Sequence, residues 1–312
     1  MKKILVLLIL MMGMASAVWA QDYEFVKKWG ECGKWDGAFQ YPMGITLDSR
    51  GNIYVADKQN NSFQKFDPEG NFIARWPGES ELGAELYYPY DLTVDMLGYI
   101  YVVNSYGQSV KKFTSQGKFV ARWGNEGQGD GQFSYPFGID VDSFGNIYVA
   151  DTKNNRIQKF DSQGKFLLSF GEEGKKEGEF RAPSDLTVDR VGNIYVADSC
   201  NNRIQKFDPK GNFLFAWGTK GRGPGELYAP SGIALGYRGR IYVADTGNCR
   251  IQVFDSEGKF LTEFGKPGSL SGEFNKPYGI AVDREGNIYV SDTYNHRIQV
   301  FGPVKKSGIS RE

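Results

Sequence analysis

The residues best suited to chemistry in this 312-residue chain are three aspartates. Asp91 and Asp185 stand where a recurring sequence pattern otherwise has glycine, and Asp140 stands where it has threonine or alanine. Acids gathered near one opening could bind a divalent cation or a cationic group. Their spacing matches no known ligand loop, and the same carboxylates could equally be solvated or bonded to loop amides. We therefore expect no cofactor and keep a divalent cation as the alternative.

The single histidine, His296, is a weak candidate for catalysis. A catalytic base or a metal site needs convergent partners, and the chain has no second histidine. His296 takes the place that Asn155 and Asn202 hold in equivalent loops, which indicates a structural role. The sequence also has no phosphate-binding loop, no GxSxG and no HExxH, so it indicates neither a nucleotide site nor a nucleophile.

Bulky residues collect in one part of the recurring pattern. The residue after each recurring proline is large in four copies and serine in two. If these positions open on one face, they predict a lopsided binding surface, because aromatic rings supply much of the energy at interfaces and stack on sugars. The alternative is that the rings only fill a central opening. The candidate binding residues are Tyr90, Phe137 and Tyr278 as anchors, Met43 and Tyr41 beside them, and Asp91 and Asp185 for polar orientation.

A repeat of 47 residues fixes the spacing of all these positions. Six prolines, from Pro42 to Pro277, recur at that interval without a slip, and six copies fill residues 21–302. Each copy contains four short runs rich in Ile, Val, Phe and Tyr, joined by turns such as Asp-x-x-Gly. In the third copy these runs are 137–142, 146–151, 156–161 and 165–171. The pattern predicts an all-β, six-bladed propeller of four-stranded antiparallel blades.

The two ends of the repeat predict how the ring closes. The sixth copy stops at Phe301-Gly302-Pro303 and lacks a fourth strand, whereas residues 23–30 match the fourth strand at 117–124. We therefore expect the N-terminal strand to complete blade six as its outer strand, which removes an open sheet edge.

An aspartate and an arginine recur five residues apart in four of the copies. Because each copy needs the same loop, we interpret these pairs as structural braces, in which Asp caps loop N–H groups and Arg bonds loop carbonyls. The first two copies have Ser62 and Ser109 instead of the arginine. The braces are Asp151 with Arg156, Asp198 with Arg203, Asp245 with Arg250, and Asp292 with Arg297.

Residues 277–302, PYGIAVDREGNIYVSDTYNHRIQVFG, resemble the NHL repeat, with Asn295-His296-Arg297 at the position of its Asn-His-Leu triplet. The resemblance extends to all six copies and implies a six-bladed propeller, a fold that hosts many functions. Lyases of similar fold use a histidine-based zinc site, which one histidine cannot build. Other similar propellers are enzymes with a metal at the channel mouth, or extracellular sensor domains.

Composition and termini narrow the class of protein. Residues 1–20 combine Lys2 and Lys3, an apolar run and a small residue at Ala20, which is the plan of a secretory signal peptide. We expect cleavage after Ala20, export to the periplasm or beyond, and no stable membrane insertion afterwards. The balance of 37 basic and 37 acidic residues argues against nucleic acid as the main partner. Residues 303–312 form a short polar tail, and Cys200 and Cys249 are either free thiols or one bridge.

Together these patterns favour an exported, non-enzymatic binding or scaffold protein. It would recognise a protein, peptide or glycan of the cell envelope on its loop-rich face. The alternatives are a metal-dependent, lactonase- or lyase-like propeller enzyme that uses Asp91, Asp140 and Asp185, and a sensor subunit.

Overall fold

Six radially arranged sheets make up the protein in a computed structural model that describes residues 23–77, 83–236 and 239–304. Within these residues each sheet has four antiparallel strands, so the predicted six-bladed propeller is confirmed. The expected signal peptide at 1–20 and most of the expected tail at 303–312 lie outside the described residues. No helix of the described part is long and apolar enough to cross a membrane.

The strands follow the 47-residue repeat. Blade one contains β2 (Pro42–Leu47), β3 (Ile53–Asp57), β4 (Ser62–Phe66) and β5 (Phe72–Trp76). Blade two contains β6 (Pro89–Val94), β7 (Ile100–Asn104), β8 (Ser109–Phe113) and β9 (Phe119–Trp123). Blade three contains β10 (Pro136–Val141), β11 (Ile147–Asp151), β12 (Arg156–Phe160) and β13 (Phe166–Phe170).

The second half of the ring has the same plan. Blade four contains β14 (Pro183–Val188), β15 (Ile194–Asp198), β16 (Arg203–Phe207) and β17 (Phe213–Trp217). Blade five contains β18 (Ile233–Leu235), β19 (Ile241–Asp245), β20 (Arg250–Phe254) and β21 (Phe260–Phe264). Blade six contains β22 (Pro277–Val282), β23 (Ile288–Asp292), β24 (Arg297–Pro303) and the N-terminal β1 (Tyr23–Trp29).

Two kinds of connection separate the two ends of the propeller. Strands one and two, and strands three and four, are joined by the predicted tight turns; in blade three Gly145 has φ +82° and donates to the carbonyl of Asp142 at 3.0 Å. Strands two and three are joined at the opposite end by longer loops. Among the described residues, five of these loops contain one turn of 3-10 helix, at Lys58–Asn60, Thr152–Asn154, Ser199–Asn201, Thr246–Asn248 and Thr293–Asn295.

The hydrophobic core lies between neighbouring blades, because each sheet is apolar on both faces. A phenylalanine at the end of every third strand, such as Phe113 or Phe160, is fully buried there. The ring at the end of an outer strand packs over the turn glycine of the next blade: a Cβ on Gly117 would lie 2.0 Å from Trp76 Nε1. Apolar burial between blades therefore holds the ring together and requires glycine at these contacts.

The N-terminal strand closes the ring as expected. It pairs antiparallel with β24, with Tyr23 opposite Pro303 and Trp29 opposite Ile298. Tyr23 is buried, and its hydroxyl bonds the Tyr242 hydroxyl at 2.8 Å and accepts from Arg240 Nη1 at 2.9 Å. Strand β1 therefore joins blade six to blade five as well as completing its own sheet.

All three cysteines are free. Cys32 and Cys200 are exposed and Cys249 is buried, so the bridge considered between Cys200 and Cys249 is not formed.

We expect Tyr23→Ala to lower the free energy of unfolding by about 3–5 kcal/mol, because it removes a buried ring and its hydroxyl contacts at the closure. Val26→Thr is the matched control, since Val26 is exposed on the same strand, and should change it by about 0.5 kcal/mol or less. Urea unfolding measures both. Equal stability of the two variants would contradict the role of β1 in closure.

Candidate functional site

One face of the propeller carries both the loops between strands two and three and the loops that lead into strand one. The two sets are hydrogen-bonded to each other in each blade; the amide of Gln59 donates to the carbonyl of Gln40, and that of Lys153 to Ser134, both at 3.0 Å. We call this end the loop-rich face. The channel between the six first strands opens on it.

A buried aspartate organises the loop of this face in every blade except the second. In blade three, Asp151 Oδ1 accepts from the Ser134 amide at 2.7 Å, and Oδ2 accepts from Arg156 Nε at 2.8 Å and from Asn154 Nδ2 at 2.8 Å. Arg156 Nη2 also donates to the carbonyls of Gly129 and Gln132. Blades four, five and six repeat the aspartate–arginine contact at 2.7–2.8 Å. The hydrogen-bonding groups of these side chains are used within the protein, so they are not free to bind a ligand.

Blades one and two replace the missing arginine from other positions. In blade one, Arg75 of the outer strand donates to the carbonyls of Lys34 and Trp35, both at 2.5 Å. In blade two the aspartate is Asn104, and the buried Lys111 donates to the carbonyls of Gly83 (2.7 Å) and Glu85. Sequence reasoning missed both. The visible signal was Lys111, which stands where all five other blades have glutamine.

His296 belongs to a row of contacts between neighbouring blades. It has φ +53°, and its Nδ1 accepts from the Tyr41 amide at 3.2 Å. Asn61 and Asn155 occupy equivalent positions, and their side-chain oxygens accept from the amides of the next blade at 2.9 Å. Burial lowers the pKa of His296, which favours the neutral ring that this contact needs. The histidine therefore links the last blade to the first.

The three predicted anchors meet across the channel mouth although they come from blades two, three and six. The rings of Tyr90 and Phe137 are stacked, with centroids 3.8 Å apart and planes within 2°. Tyr278 packs edge-on against Tyr90 at 6.2 Å, and burial raises the pKa of its hydroxyl. All three line the channel and are half-buried, so part of each ring is exposed.

The two residues expected beside the anchors differ in their surroundings. Met43 lines the same channel as the three anchors but is only 2% exposed, so a partner at the surface has little access to its side chain. Tyr41 lies on the blade-six side, where its ring contacts Tyr294 at 5.2 Å and His296 at 4.7 Å.

A second group of rings surrounds the mouth and was not among the predicted site residues. Tyr106, which is 57% exposed, lies between Tyr88 (4.6 Å) and Tyr135 (5.4 Å). Lys153 Nζ lies 3.8 Å from the centre of the Tyr135 ring, and Lys58 Nζ lies 4.7 Å from that of Tyr90. We call Lys58, Tyr88, Tyr106, Tyr135 and Lys153 the rim cluster.

Lys58 is the unusual member of the rim cluster. It is half-buried, and burial lowers the pKa of its ammonium group. Among the described residues no carboxylate lies within ion-pairing distance of it, and only the faces of Tyr90 and Tyr88 contact its charge. A cation held over aromatic rings without a counter-ion is suited to receive an anion from outside.

The three aspartates of interest line the channel beneath the aromatic mouth, in a cavity of about 200 Å³. Each accepts a hydrogen bond from the first strand of the next blade: Asp91 from the Ile139 amide at 3.0 Å, Asp140 from Val188 at 2.9 Å and Asp185 from Ile233 at 2.9 Å. The three carboxylates therefore join adjacent blades, and the oxygens that a cation would need already accept hydrogen bonds from backbone amides. Within the described ranges no three His, Cys, Asp or Glu side chains form a group that could hold a metal ion.

Asp91 and Asp185 also touch each other across the channel. Their carboxyl groups are in hydrogen-bonding contact, and burial together with the neighbouring carboxylates raises the pKa of both. Glycine at the equivalent positions makes room for them: a Cβ on Gly44 would lie 1.8 Å from Asp91 Oδ1, and one on Gly138 would lie 2.5 Å from Asp185 Oδ1. The carboxyl groups of Asp91 and Asp185 can therefore share one proton inside a tight ring of backbone.

Comparison with known proteins gives a family and a set of structures with the same fold. The NHL repeat matches residues 39–66, 133–160, 180–207, 227–254 and 274–301. Over 46 residues the chain is 48% identical to protein lin-41 of Caenorhabditis elegans, which is 15% of this chain and only 4% of that protein.

Two solved structures show the likeness of fold over nearly the whole chain. Virginiamycin B lyase from Staphylococcus aureus is 17% identical with a TM-score of 0.62, covering 90% of this chain and 100% of that chain. An auxiliary nutrient binding protein from Bacteroides ovatus is 16% identical with a TM-score of 0.67, covering 92% and 78%. At these identities the likeness shows the fold alone.

The channel carboxyl pair predicts a pH dependence of stability. A folded-state pKa above the ordinary value of 3.8 means that the folded protein holds its proton more tightly than the unfolded chain. The contribution of the pair is therefore complete below about pH 4 and is lost as the pH rises through the folded pKa.

Asp91→Asn should reduce this loss and raise the free energy of unfolding at about pH 8 by about 1 kcal/mol or more, since the amide imitates the protonated acid. Asp140→Asn is the matched contrast. Asp140 accepts from two amides and from the hydroxyls of Thr93 and Thr187, so an NH₂ group there should destabilise at every pH by about 1–3 kcal/mol. Urea unfolding of the wild type and both variants between about pH 4 and about pH 8 measures these differences. Parallel pH profiles for wild type and Asp91→Asn would refute the shared proton.

Proposed function

On the premise that this chain is an NHL-repeat β-propeller, we propose that it is an exported binding or scaffold protein. It recognises a protein, peptide or glycan of the cell envelope on the loop-rich face and has no catalytic activity of its own. The observation that carries this proposal is the concentration of aromatic and cationic side chains in one sector of that face. Blades four and five have Ala182, Ser184, Ala229 and Ser231 at the positions where the other sector has rings.

The chemistry of the sector indicates what the partner presents. Exposed tyrosine rings offer flat apolar surface with hydroxyl groups at the edge, which suits sugar rings or aromatic and aliphatic side chains. Lys58 and Lys153 add two positive charges that no carboxylate of the described chain neutralises. A partner that carries at least one acidic group next to an apolar or sugar surface fits this combination.

Two further features support binding over catalysis. His296 and the three channel aspartates are engaged in hydrogen bonds to backbone amides, which leaves them as structural groups. The solved structures of similar fold include both a lyase and a nutrient-binding protein, so likeness of fold does not favour an enzyme.

We expect two sets of substitutions to weaken binding independently. One removes the mouth rings (Tyr90, Phe137 and Tyr278→Ala), and the other removes the rim (Lys58→Met, Tyr106 and Tyr135→Ala). The control is Tyr228→Ala, an exposed tyrosine of blade five on the same face. Each set should lower affinity about tenfold or more, because buried rings and their neighbouring charges dominate interface energy.

The measurement uses the wild type as bait for envelope extract and for a panel of soluble neutral and acidic oligosaccharides. Each ligand found is then titrated against all variants, which must first show matching melting curves. Weakening by either set and not by the control supports the proposal. Binding that both sets leave unchanged, or no ligand in either screen, would contradict it.

A further inference from the structure

The turns between strands one and two, at the end opposite the loop-rich face, carry an apolar group that the turns do not need. Each has the form Asp-x-x-Gly or a close variant, and in the five turns whose central residues the structure describes, both of these residues are exposed. In blades two, three and four these central positions hold Met96, Leu97, Phe144 and Val191, which are 73–84% exposed. We call these four residues the turn tips.

The equivalent turns elsewhere in the described chain are polar. Blade one has Ser49 and Arg50, and blade six has Arg284 and Glu285. The same turn geometry is therefore reached without apolar residues. Four large apolar side chains in three consecutive blades, each almost wholly in water, indicate a surface that is covered by something else.

Around the turn tips, the aspartates are hydrogen-bonded to amides of their own turns, whereas the basic side chains are exposed to solvent. Asp95 accepts from the amides of Leu97 and Tyr99, and Asp142 accepts from those of Phe144 and Asn146, all at 2.9 Å. Asp161, Asp189 and Asp208 are engaged in their own turns in the same way. The exposed cations Lys118, Lys165, Arg190 and Lys210 have no ion pair among the described residues.

The glutamates of this end lie away from the turn tips. Glu69, Glu257 and Glu285 belong to blades one, five and six. Blades two to four therefore present apolar tips among free cations, and the other described turns of the same end present mixed charge.

We propose that the turn tips insert shallowly into an anionic membrane surface. Separate apolar side chains on the ends of turns suit the headgroup–acyl boundary, where each is buried on its own, whereas a protein interface needs a continuous packed surface. The surrounding Lys and Arg side chains complement anionic headgroups. This contact is peripheral, spans nothing, and leaves the loop-rich face directed away from the lipid.

The test is co-sedimentation of residues 21–312, which contain the whole closed ring, with vesicles. The vesicles are phosphatidylcholine alone or phosphatidylcholine mixed with phosphatidylglycerol. The variant replaces Met96, Leu97, Phe144 and Val191 by Ser. The matched control is Leu270→Ser, which removes a 68% exposed apolar residue from the opposite end.

Wild type and the Leu270→Ser control should sediment with the anionic vesicles. The four-serine variant should bind the anionic vesicles at least about tenfold more weakly than the wild type. All three proteins should bind vesicles of phosphatidylcholine alone more weakly than the mixed vesicles. Wild type that stays in the supernatant, or a four-serine variant that binds like wild type, would overturn the proposal. So would a wild-type dimer in sedimentation velocity that the four serines convert to monomer, since the tips would then bind a second copy.

Discussion

The hydrogen bonds of the buried aspartate that ends the second strand in five of the six blades are the interaction on which the rest of the structure depends. A carboxylate removed from water is costly unless it is fully hydrogen-bonded, and here it gathers a backbone amide, an asparagine and an arginine around itself. The full set fixes the loops of one face in blades three to six, and in blade one Asp57 keeps the amide and the asparagine. Where the arginine is lost, Arg75 or Lys111 supplies a cation to carbonyl groups of the same loop, and in blade two Asn104 replaces the aspartate and removes its negative charge. The loops keep one shape while their remaining side chains vary.

That constancy is what permits a lopsided surface. Because the loop backbone does not depend on the residues that face solvent, tyrosines can replace alanines in one sector without disturbing the ring. The same separation holds at the other end, where the turn aspartates fix the backbone and leave the two central residues of each turn free to be apolar or charged. Both unusual surfaces therefore rest on positions that the repeat does not need.

The sequence predicted local and repeated features well. Strand order, closure by the N-terminal strand and the turn glycines follow from a 47-residue period that every blade obeys. It could not predict contacts that join unlike blades. Asp91 meets Asp185 across the channel only because the ring curves, and the stack of Tyr90 on Phe137 depends on the same curvature. The place of Met43 after the proline predicts a surface residue, yet Met43 lines the channel and is only 2% exposed. The sequence does not single out Lys58, because only the three-dimensional structure shows that no carboxylate of the described residues lies near it.

The central claim is that the aromatic sector of the loop-rich face is where a partner binds. The most direct measurement is photo-cross-linking in intact cells. A photo-reactive phenylalanine analogue replaces Tyr106 in one variant and Tyr228 in another, and the cells that export each variant are illuminated. If the partner binds the aromatic sector, position 106 gives a discrete cross-linked product and position 228 gives none. Equal products from both positions, or a product from position 228 alone, would contradict it.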